Sequence, residues 1–217
     1  MKNFTVYLVD DDPGVINALS RLLRTRGYDV KPYSSPELFL EEHDLEVPGC
    51  AVLDVSMPTL DGFAVQRALT ASAGSPRPVV FITGNGDIPT TVQAMRAGAL
   101  DFLTKPLKDK DLFEVISRAE AKDAELRKRY SEAEFFHAKI KTLTPREHEV
   151  FLHVLNGRLN KQIAADLGVG EKTIKVHRAR VMAKLGSRNL IELVRTADKY
   201  FSEYSDKGFS VTSSIGA

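Results

Sequence analysis

The chain lacks, or has little of, several sequence features that are typical of particular classes of protein. It contains one cysteine and no tryptophan among 217 residues, so an intrachain disulfide framework is excluded. Its apolar runs are short, and none approaches the roughly 18 residues of a membrane span. The N-terminal sequence MKNFTVYLVD passes directly into a strand pattern and lacks the features of a signal peptide. These absences predict a cytoplasmic protein with no membrane contact, whose single thiol, Cys50, is buried and structural.

Net charge is also nearly absent, but the neutral total hides an asymmetry. The formal charge is +1, from 30 basic and 29 acidic residues. Residues 1–119 carry 12 Lys and Arg against 16 Asp and Glu, whereas residues 120–217 carry 18 against 13. The basic excess is concentrated between Arg158 and Arg188, where eight basic residues accompany two acidic ones. This concentration predicts a polyanionic partner for the second half.

The first half alternates short apolar runs with segments of helical period. The runs are FTVYLV, YDVKPY, CAVLDV, PVVFIT and DFLT. The sequence SPE at residues 35–37 indicates a helix start, and Gly27 and Gly98 stand where helices should end. Because the runs are apolar on both faces, the repeat predicts an α/β fold with a doubly wound, five-stranded parallel sheet. Sites in such sheets form at the carboxyl ends of the strands.

Acidic side chains collect at these predicted strand ends. Asp10 and Asp11 follow the first strand, and Asp54 ends the third. Carboxylates that converge repel one another unless a cation lies between them, and a hard cation that keeps water ligands, Mg²⁺, suits oxygen donors. Thr83 and Lys105 would offer a hydroxyl and an ammonium group to a phosphoryl group. The residues therefore predict a Mg²⁺ site in which Asp54, central in the sheet, is a nucleophile. The next acid along the chain, Asp12, precedes a proline and is predicted to cap a helix.

The ordered set of motifs resembles the receiver domain of two-component response regulators. The resemblance rests on VDDD, LDVSMP, FITGNGD and DFLTKP, and it covers about residues 3–120. The expected order of the strands in the sheet is 2-1-3-4-5. It implies that a sensor histidine kinase phosphorylates Asp54. It also implies four Mg²⁺ ligands: Asp10, Asp11, Asp54 and the Ser56 backbone carbonyl.

The same resemblance assigns a switch. Thr83 and Lys105 would respond to the phosphoryl group, and Phe102 occupies the aromatic switch position in place of a tyrosine. Phe102 is therefore either a core residue of the last strand or a switch residue that reports phosphorylation by packing alone. The Lys105–Pro106 bond resembles the cis peptide of the family, and ITGNGDIPTTVQAMRAGALDFLTKP is most similar to the FixJ type.

Residues 121–140 are predicted to form a helical linker, since SRAEAKDAELRKRYSEAEFFHAKI is rich in helix formers and lacks Gly and Pro. Apolar residues recur there every seven positions: Ala119, Leu126, Ala133 and Ile140. The repeat is consistent with a weak coiled-coil seam between two chains. It is also typical of a stripe that packs on the chain's own domains, an interpretation that the two alanines in the seam favour slightly, and both interpretations stay open at this point.

The third region begins at LTPREHEVF, where Thr144, Pro145 and Glu147 indicate a helix start. The following NKQIAADLGVGEKTIKVH contains a short helix, a Gly-containing turn and a longer basic helix, the pattern of a helix-turn-helix within four helices. On a helical wheel three apolar residues share one face: Ile174, Val181 and Leu185. Four residues occupy the opposite face: Lys172, Lys175, Val176 and Ala179.

This region resembles the LuxR-type helix-turn-helix domain of NarL and FixJ regulators over about residues 141–200. The resemblance implies that Lys175 and Val176 face bases, with a methyl-sized contact from Ala179. Phosphate contacts are implied for four residues: Lys161, Thr173, Lys184 and Arg188. It also implies promoter DNA and RNA polymerase as partners. The family leaves open whether phosphorylation releases an inhibited DNA-binding domain or drives dimerisation, and we expect a homodimer on phosphorylation.

The sequence thus predicts four segments: a receiver at residues 1–120, the linker at 121–140, the DNA-binding domain at 141–200 and a C-terminal tail at 201–217. The function they predict is a phosphorylation-controlled transcription regulator and not an enzyme. An aspartyl-phosphate phosphotransferase or phosphatase is the alternative, but Ser56 breaks the D-x-D pattern of haloacid-dehalogenase phosphatases. A flavodoxin-like carrier is disfavoured because acidic strand ends repel a flavin phosphate.

Overall fold

The computed structural model describes residues 3–72, 76–84, 86 and 88–204, with the backbone alone for residues 201–204. The chain divides into two compact units, Met1–Tyr130 and Ser131–Ala217. Within the described ranges, no helix has both the length and the hydropathy that a membrane span requires. The predicted tail lies outside the described residues from position 205 onward.

The first unit is built on a parallel sheet with the strand order β2-β1-β3-β4-β5. This order confirms the predicted doubly wound fold. Strands β1, β3 and β4 are buried along their whole length, as expected for runs that are apolar on both faces. The strand bounds are Thr5–Val9 (β1), Asp29–Tyr33 (β2), Gly49–Asp54 (β3), Val79–Thr83 (β4) and Asp101–Thr104 (β5).

Helices cover both faces of this sheet and produce two apolar cores. One core packs α1 and α5 against the sheet, and the other packs α2, α3 and α4 against the opposite face. The predicted caps are confirmed: Asp12 accepts from the Gly14 amide at the start of α1, and Ser35 accepts from the Leu38 amide in α2. The helix bounds are Pro13–Thr25 (α1), Pro36–Glu42 (α2), Gly62–Ala71 (α3), Ile88–Arg96 (α4) and Asp109–Ile140 (α5).

Gly27 and Gly98 end helices in the left-handed region, with φ of +80° and +85°. Cys50 is fully buried in β3, and burial raises the pKa of its thiol, as a structural role requires.

Helix α5 continues past the last turn that packs on the sheet. In this extension Arg127 binds the helix to the loop before β3. The Arg127 guanidinium donates to the carbonyl oxygens of Leu45, Glu46 and Val47 at 2.6–2.9 Å. Its Nε also donates to Asp123, a carboxylate that is 2% exposed, at 2.9 Å. The loop between α2 and β3 is therefore tied to a part of α5 that the sequence assigned to the linker.

The seven-residue repeat of α5 is buried within the chain itself. Ala119 packs into the first core, and Ile140 packs into the core of the second unit with Phe136. Ala133 is also buried, and Leu126 is half-buried. These contacts favour the stripe that packs on the chain's own domains over the coiled-coil seam.

As far as residue 204, where the description ends, the second unit consists of the end of α5 and four further helices. Thr144 and Glu147 form the predicted capping box at the start of α6, in which each side chain bonds the backbone of the other residue. The predicted stripe of α8 is confirmed, since Ile174, Val181 and Leu185 are buried. The bounds are Pro145–Leu155 (α6), Asn160–Asp166 (α7), Glu171–Leu185 (α8) and Leu190–Tyr204 (α9).

Candidate functional site

Two neighbouring strands bring the acidic residues together. The register of β1 and β3 pairs Val9 with Leu53, so the next residues, Asp10 and Asp54, lie side by side at the same edge of the sheet. Asp10 is 0% exposed and Asp54 is 5% exposed, whereas Asp11 is exposed. Each of the three offers a carboxylate oxygen, and these oxygens lie within 4.8 Å of one another.

Lys105 supplies the cation of this cluster. Its ammonium group lies 2.7 Å from Asp10 Oδ2 and 3.2 Å from Asp54 Oδ1. Burial opposes the charged form of Lys105, but the hydrogen bond to Asp10 and the charge of Asp54 outweigh it and raise the pKa of the amine. The Lys105 amide donates to the Thr83 carbonyl at 2.7 Å, and the Lys105–Pro106 bond is cis, as predicted. Lys105 therefore joins the ends of three strands.

The two buried carboxylates have different partners. Asp10 accepts from Lys105 with Oδ2 and from the Asp12 amide with Oδ1, at 2.9 Å. Burial raises the pKa of Asp54, while Lys105 opposes that rise and Asp10 adds to it. Both acids thus share the Lys105 ammonium as their cation, which lies closer to Asp10 than to Asp54, and each also accepts from a backbone amide, that of Asp12 for Asp10 and that of Ser56 for Asp54.

The donor set fits a hard divalent cation. All three acidic side chains offer oxygen, and the exposed position of Asp11 leaves one side open to water, which Mg²⁺ retains. Ser56 stands in the loop that follows Asp54, and its amide hydrogen-bonds the Asp54 carboxylate. The arrangement can hold a cation beside the Asp54 carboxylate.

The predicted switch residues lie on the two strands next to this cluster. Thr83 is buried at the end of β4, where the register pairs it with Thr104 of β5. Phe102 is half-buried on β5, opposite Phe81, and packs at the margin of the core that α4 shares. This position leaves the core and switch interpretations of Phe102 both open.

The second candidate site is the outer face of α8. The predicted face residues are all exposed: Lys172, Lys175, Val176 and Ala179. The predicted phosphate contacts are exposed as well: Lys161, Thr173, Lys184 and Arg188. Gly168, with φ of +65°, ends α7 and lets the chain turn into α8. The two helices thus present one polar, basic surface.

The eight cations from Arg158 to Arg188 fall into two groups. Arg158 is paired with Asp166, Arg178 donates to Asn160 Oδ1 at 2.6 Å, and Lys184 is paired with Glu147. Five other cations make no side-chain hydrogen bond or ion pair with any described residue: Lys161, Lys172, Lys175, Arg180 and Arg188. Only the second group has its charge fully available to a ligand.

For two of these residues the structure differs from the prediction made from the sequence. Arg180 is exposed on the same side of α8 as Val176, and the helical wheel could have identified it as a further phosphate contact. Lys184, a predicted phosphate contact, lies 2.6 Å from Glu147 Oε2 and 2.9 Å from the Thr142 carbonyl. The structure gives Lys184 a role in holding α8 to α6, and its phosphate contact stays a prediction.

Comparison with known proteins identifies the family. Residues 6–117 match the response regulator receiver domain, and residues 141–197 match the luxR family of bacterial regulatory proteins. The chain belongs to the two-component response regulators of the FixJ and NarL type. Its relatives include the response regulator protein TmoT of Ectopseudomonas mendocina, 41% identical over 89% of this chain and 88% of that protein. The transcriptional regulatory protein FixJ of Rhizobium meliloti is 38% identical over 91% of this chain and 96% of that protein.

Solved response regulators have the same architecture. The low-resolution structure of StyR aligns with a TM-score of 0.70 and 41% identity, covering 92% of this chain and 100% of that one. Full-length FixJ from B. japonicum aligns with a TM-score of 0.55 and 34% identity, covering 93% and 99%. The protein is a phosphorylation-controlled transcription regulator, whose receiver domain implies a histidine kinase and whose luxR-type domain implies promoter DNA.

We expect Lys184→Met to destabilise the DNA-binding unit of this response regulator. Glu147 is 3% exposed, and the loss of its cation leaves a buried carboxylate with one partner fewer, at a cost of about 1–3 kcal/mol. Hydrogen exchange of the α6 and α8 amides should accelerate by about one to two powers of ten, whereas R180M, on the same helix without a partner, should change little. Unchanged exchange in K184M, with a reduced salt dependence of DNA binding, would make Lys184 a phosphate contact instead.

The same pair predicts an acid transition. The hydrogen bond from Lys184, together with those from Thr144, lowers the pKa of Glu147 to about 2 from a usual value of 4.5. A lowered pKa stabilises the fold above the usual value, and this stabilisation is lost as pH falls from about 4.5 toward 2. K184M should lose the part of this pH dependence of exchange that Lys184 supplies and keep the part that Thr144 supplies.

Proposed function

We propose that Asp54 is the phosphoryl acceptor through which a histidine kinase controls this regulator. The acidic cluster supports this proposal. Asp10, Asp11 and Asp54 offer oxygens within 4.8 Å of one another, and the Lys105 ammonium lies between Asp10 and Asp54. The Mg²⁺ ligands would be these three carboxylates and the Ser56 backbone carbonyl. When bound, Mg²⁺ neutralises charge on the phosphoryl oxygens.

Asp54, Lys105 and Thr83 have different roles in phosphoryl transfer. A carboxylate oxygen of Asp54 forms a bond to phosphorus while the phosphorus–nitrogen bond of the kinase phosphohistidine breaks, and the electron pair of that bond stays on the imidazole nitrogen. Lys105 then holds a phosphoryl oxygen with its ammonium group, and Thr83 donates its hydroxyl to another. Because the Lys105 amide donates to the Thr83 carbonyl, the ends of β4 and β5 move together when the phosphoryl group binds.

We expect Asp54→Asn to fold normally and to accept no phosphoryl group, since an amide cannot form the acyl phosphate. The measurement is intact mass after incubation with acetyl phosphate and Mg²⁺. Asp12→Asn is the matched control, because Asp12 caps α1 and lies outside the carboxylate cluster, so it should gain one phosphoryl group as the parent chain does. A complete adduct on D54N would move the nucleophile to another residue.

For the second unit, α8 is proposed to enter the major groove of promoter DNA. Lys175 and Val176 would contact base edges, with Ala179 offering a methyl group. The supporting observations are their exposure and the absence of a described partner for the Lys175 ammonium. Phosphate contacts are proposed for the unpaired cations around this face, Lys161, Lys172, Arg180 and Arg188, and for Thr173.

Lys175→Ala is expected to weaken binding to a specific duplex by about 1–3 kcal/mol and to flatten the preference at one base pair. Lys172→Ala, on the same helix, should weaken all duplexes alike and reduce the salt slope by about one unit. The duplex is first selected from a random-sequence pool with the parent chain. Titrations on selected and scrambled duplexes at several salt concentrations then compare the variants, and equal losses on both duplexes for K175A would make it a phosphate contact.

Phosphorylation is proposed to act by forming a homodimer that recruits RNA polymerase at promoters. Helix α4 follows Thr83 and exposes three large apolar side chains: Ile88 (79%), Val92 (42%) and Met95 (49%). An exposed apolar face beside the phosphoryl site suits a contact between two receivers. Pairing places two α8 helices on two half-sites, and the gain in effective concentration raises affinity without a new DNA contact.

A further inference from the structure

The loop that follows Asp54 has a strained apex. Thr59 has a φ of +67°, and among the described residues it is the non-glycine residue with positive φ. A β-branched residue is costly in this left-handed region, because its side chain crowds the following carbonyl. Such a conformation persists where surrounding contacts hold it. The neighbours of Thr59 should therefore include a residue that offsets the strain.

Glu37 of α2 is that neighbour. The Thr59 hydroxyl donates to Glu37 Oε1, and the Ser35 hydroxyl donates to Glu37 Oε2 at 2.6 Å. The hydrogen bonds from Ser35 and Thr59 lower the pKa of Glu37, so the carboxylate is ionised near neutral pH. The Thr59 hydroxyl also lies 2.6 Å from the Pro58 carbonyl, but it has one proton, and a carboxylate is the stronger acceptor.

The same loop is closed tightly against the phosphoacceptor. The Gly62 amide donates to the Val55 carbonyl at 3.1 Å. A Cβ atom at Gly62 would lie 2.4 Å from the Asp54 carbonyl oxygen, so the end of the loop packs directly on the backbone of Asp54. Ser56 and Thr59 both lie inside this closed segment. A movement of its apex must therefore be taken up between Val55 and Gly62, where Ser56 lies.

We propose that Glu37 is a positioning residue for phosphorylation, which holds Thr59 in its left-handed conformation and so fixes the Ser56 carbonyl relative to Asp54. Glycine adopts positive φ without penalty, so Thr59→Gly should remove the need for Glu37. The effect on phosphorylation rests on the proposed function, whereas the effect on stability does not. Glu37 and Thr59 are thus predicted to be coupled in both measurements.

The test is a double-mutant cycle in the full chain with E37A, T59G and the double variant. Two quantities are measured: the initial rate of phosphorylation by acetyl phosphate with Mg²⁺, from intact mass, and the urea midpoint of the receiver. We expect E37A to slow phosphorylation about tenfold and to lower the midpoint, because small displacements of reacting groups are costly. In the T59G background the same substitution should change the rate less than twofold. Glu37→Gln, whose amide oxygen still accepts the Thr59 hydroxyl, should keep most of the rate.

A surface control comes from the same helix. Glu41→Ala removes an exposed carboxylate of α2 and should leave both quantities unchanged in either background. Equal slowing by E37A in both backgrounds, or no slowing in the parent chain, would overturn the positioning role. If the parent chain accepts no phosphoryl group, the proposed function fails, and the urea cycle alone then decides: additive midpoints overturn the coupling, and non-additive midpoints support it.

Discussion

The receiver depends on one contact, in which the Lys105 ammonium group lies between the Asp10 and Asp54 carboxylates. Two carboxylates that are almost fully buried would repel one another without a cation between them. Lys105 meets that requirement from the end of β5, and its amide binds the Thr83 carbonyl at the end of β4. A phosphoryl group on Asp54, as proposed, would add nearly two negative charges at this point. The strand ends that carry the Lys105 ammonium and the Thr83 hydroxyl would then be the first parts of the fold to respond.

The second unit shows a related division between charges used for structure and charges left for a ligand. Lys184, Arg158 and Arg178 are engaged within the unit, where they join α8 to α6 and α7 or close the turn before α7. Among the cations from Arg158 to Arg188, those without described partners lie around the outer face of α8 and at Lys161. An unpaired cation keeps its charge for phosphate groups, so pairing, more than position on a wheel, separates framework residues from candidate DNA contacts.

Most of the helices and strands could be predicted from the sequence, because apolar runs, caps and helix-ending glycines are patterns of residues that are close together in the chain. The five strands, the caps at Asp12 and Ser35 and the buried stripe of α8 all followed from such patterns. The sequence did not predict the Arg127 contact with the loop before β3, the pairing of Lys184 with Glu147, or the left-handed Thr59. These features join residues that are 22 to 82 positions apart. Their geometry depends on packing that no local pattern contains.

Sedimentation velocity of the full chain measures whether a charge change at Asp54 makes two receivers associate. The chain is compared at micromolar concentration with and without beryllofluoride and Mg²⁺, which together mimic the phosphoryl group, and beside D54N. We expect a shift from monomer to dimer only in the parent chain with the mimic. A parent chain that stays monomeric with the mimic, yet gains affinity for its selected duplex, would rule out association of receivers and indicate release of an inhibited DNA-binding unit.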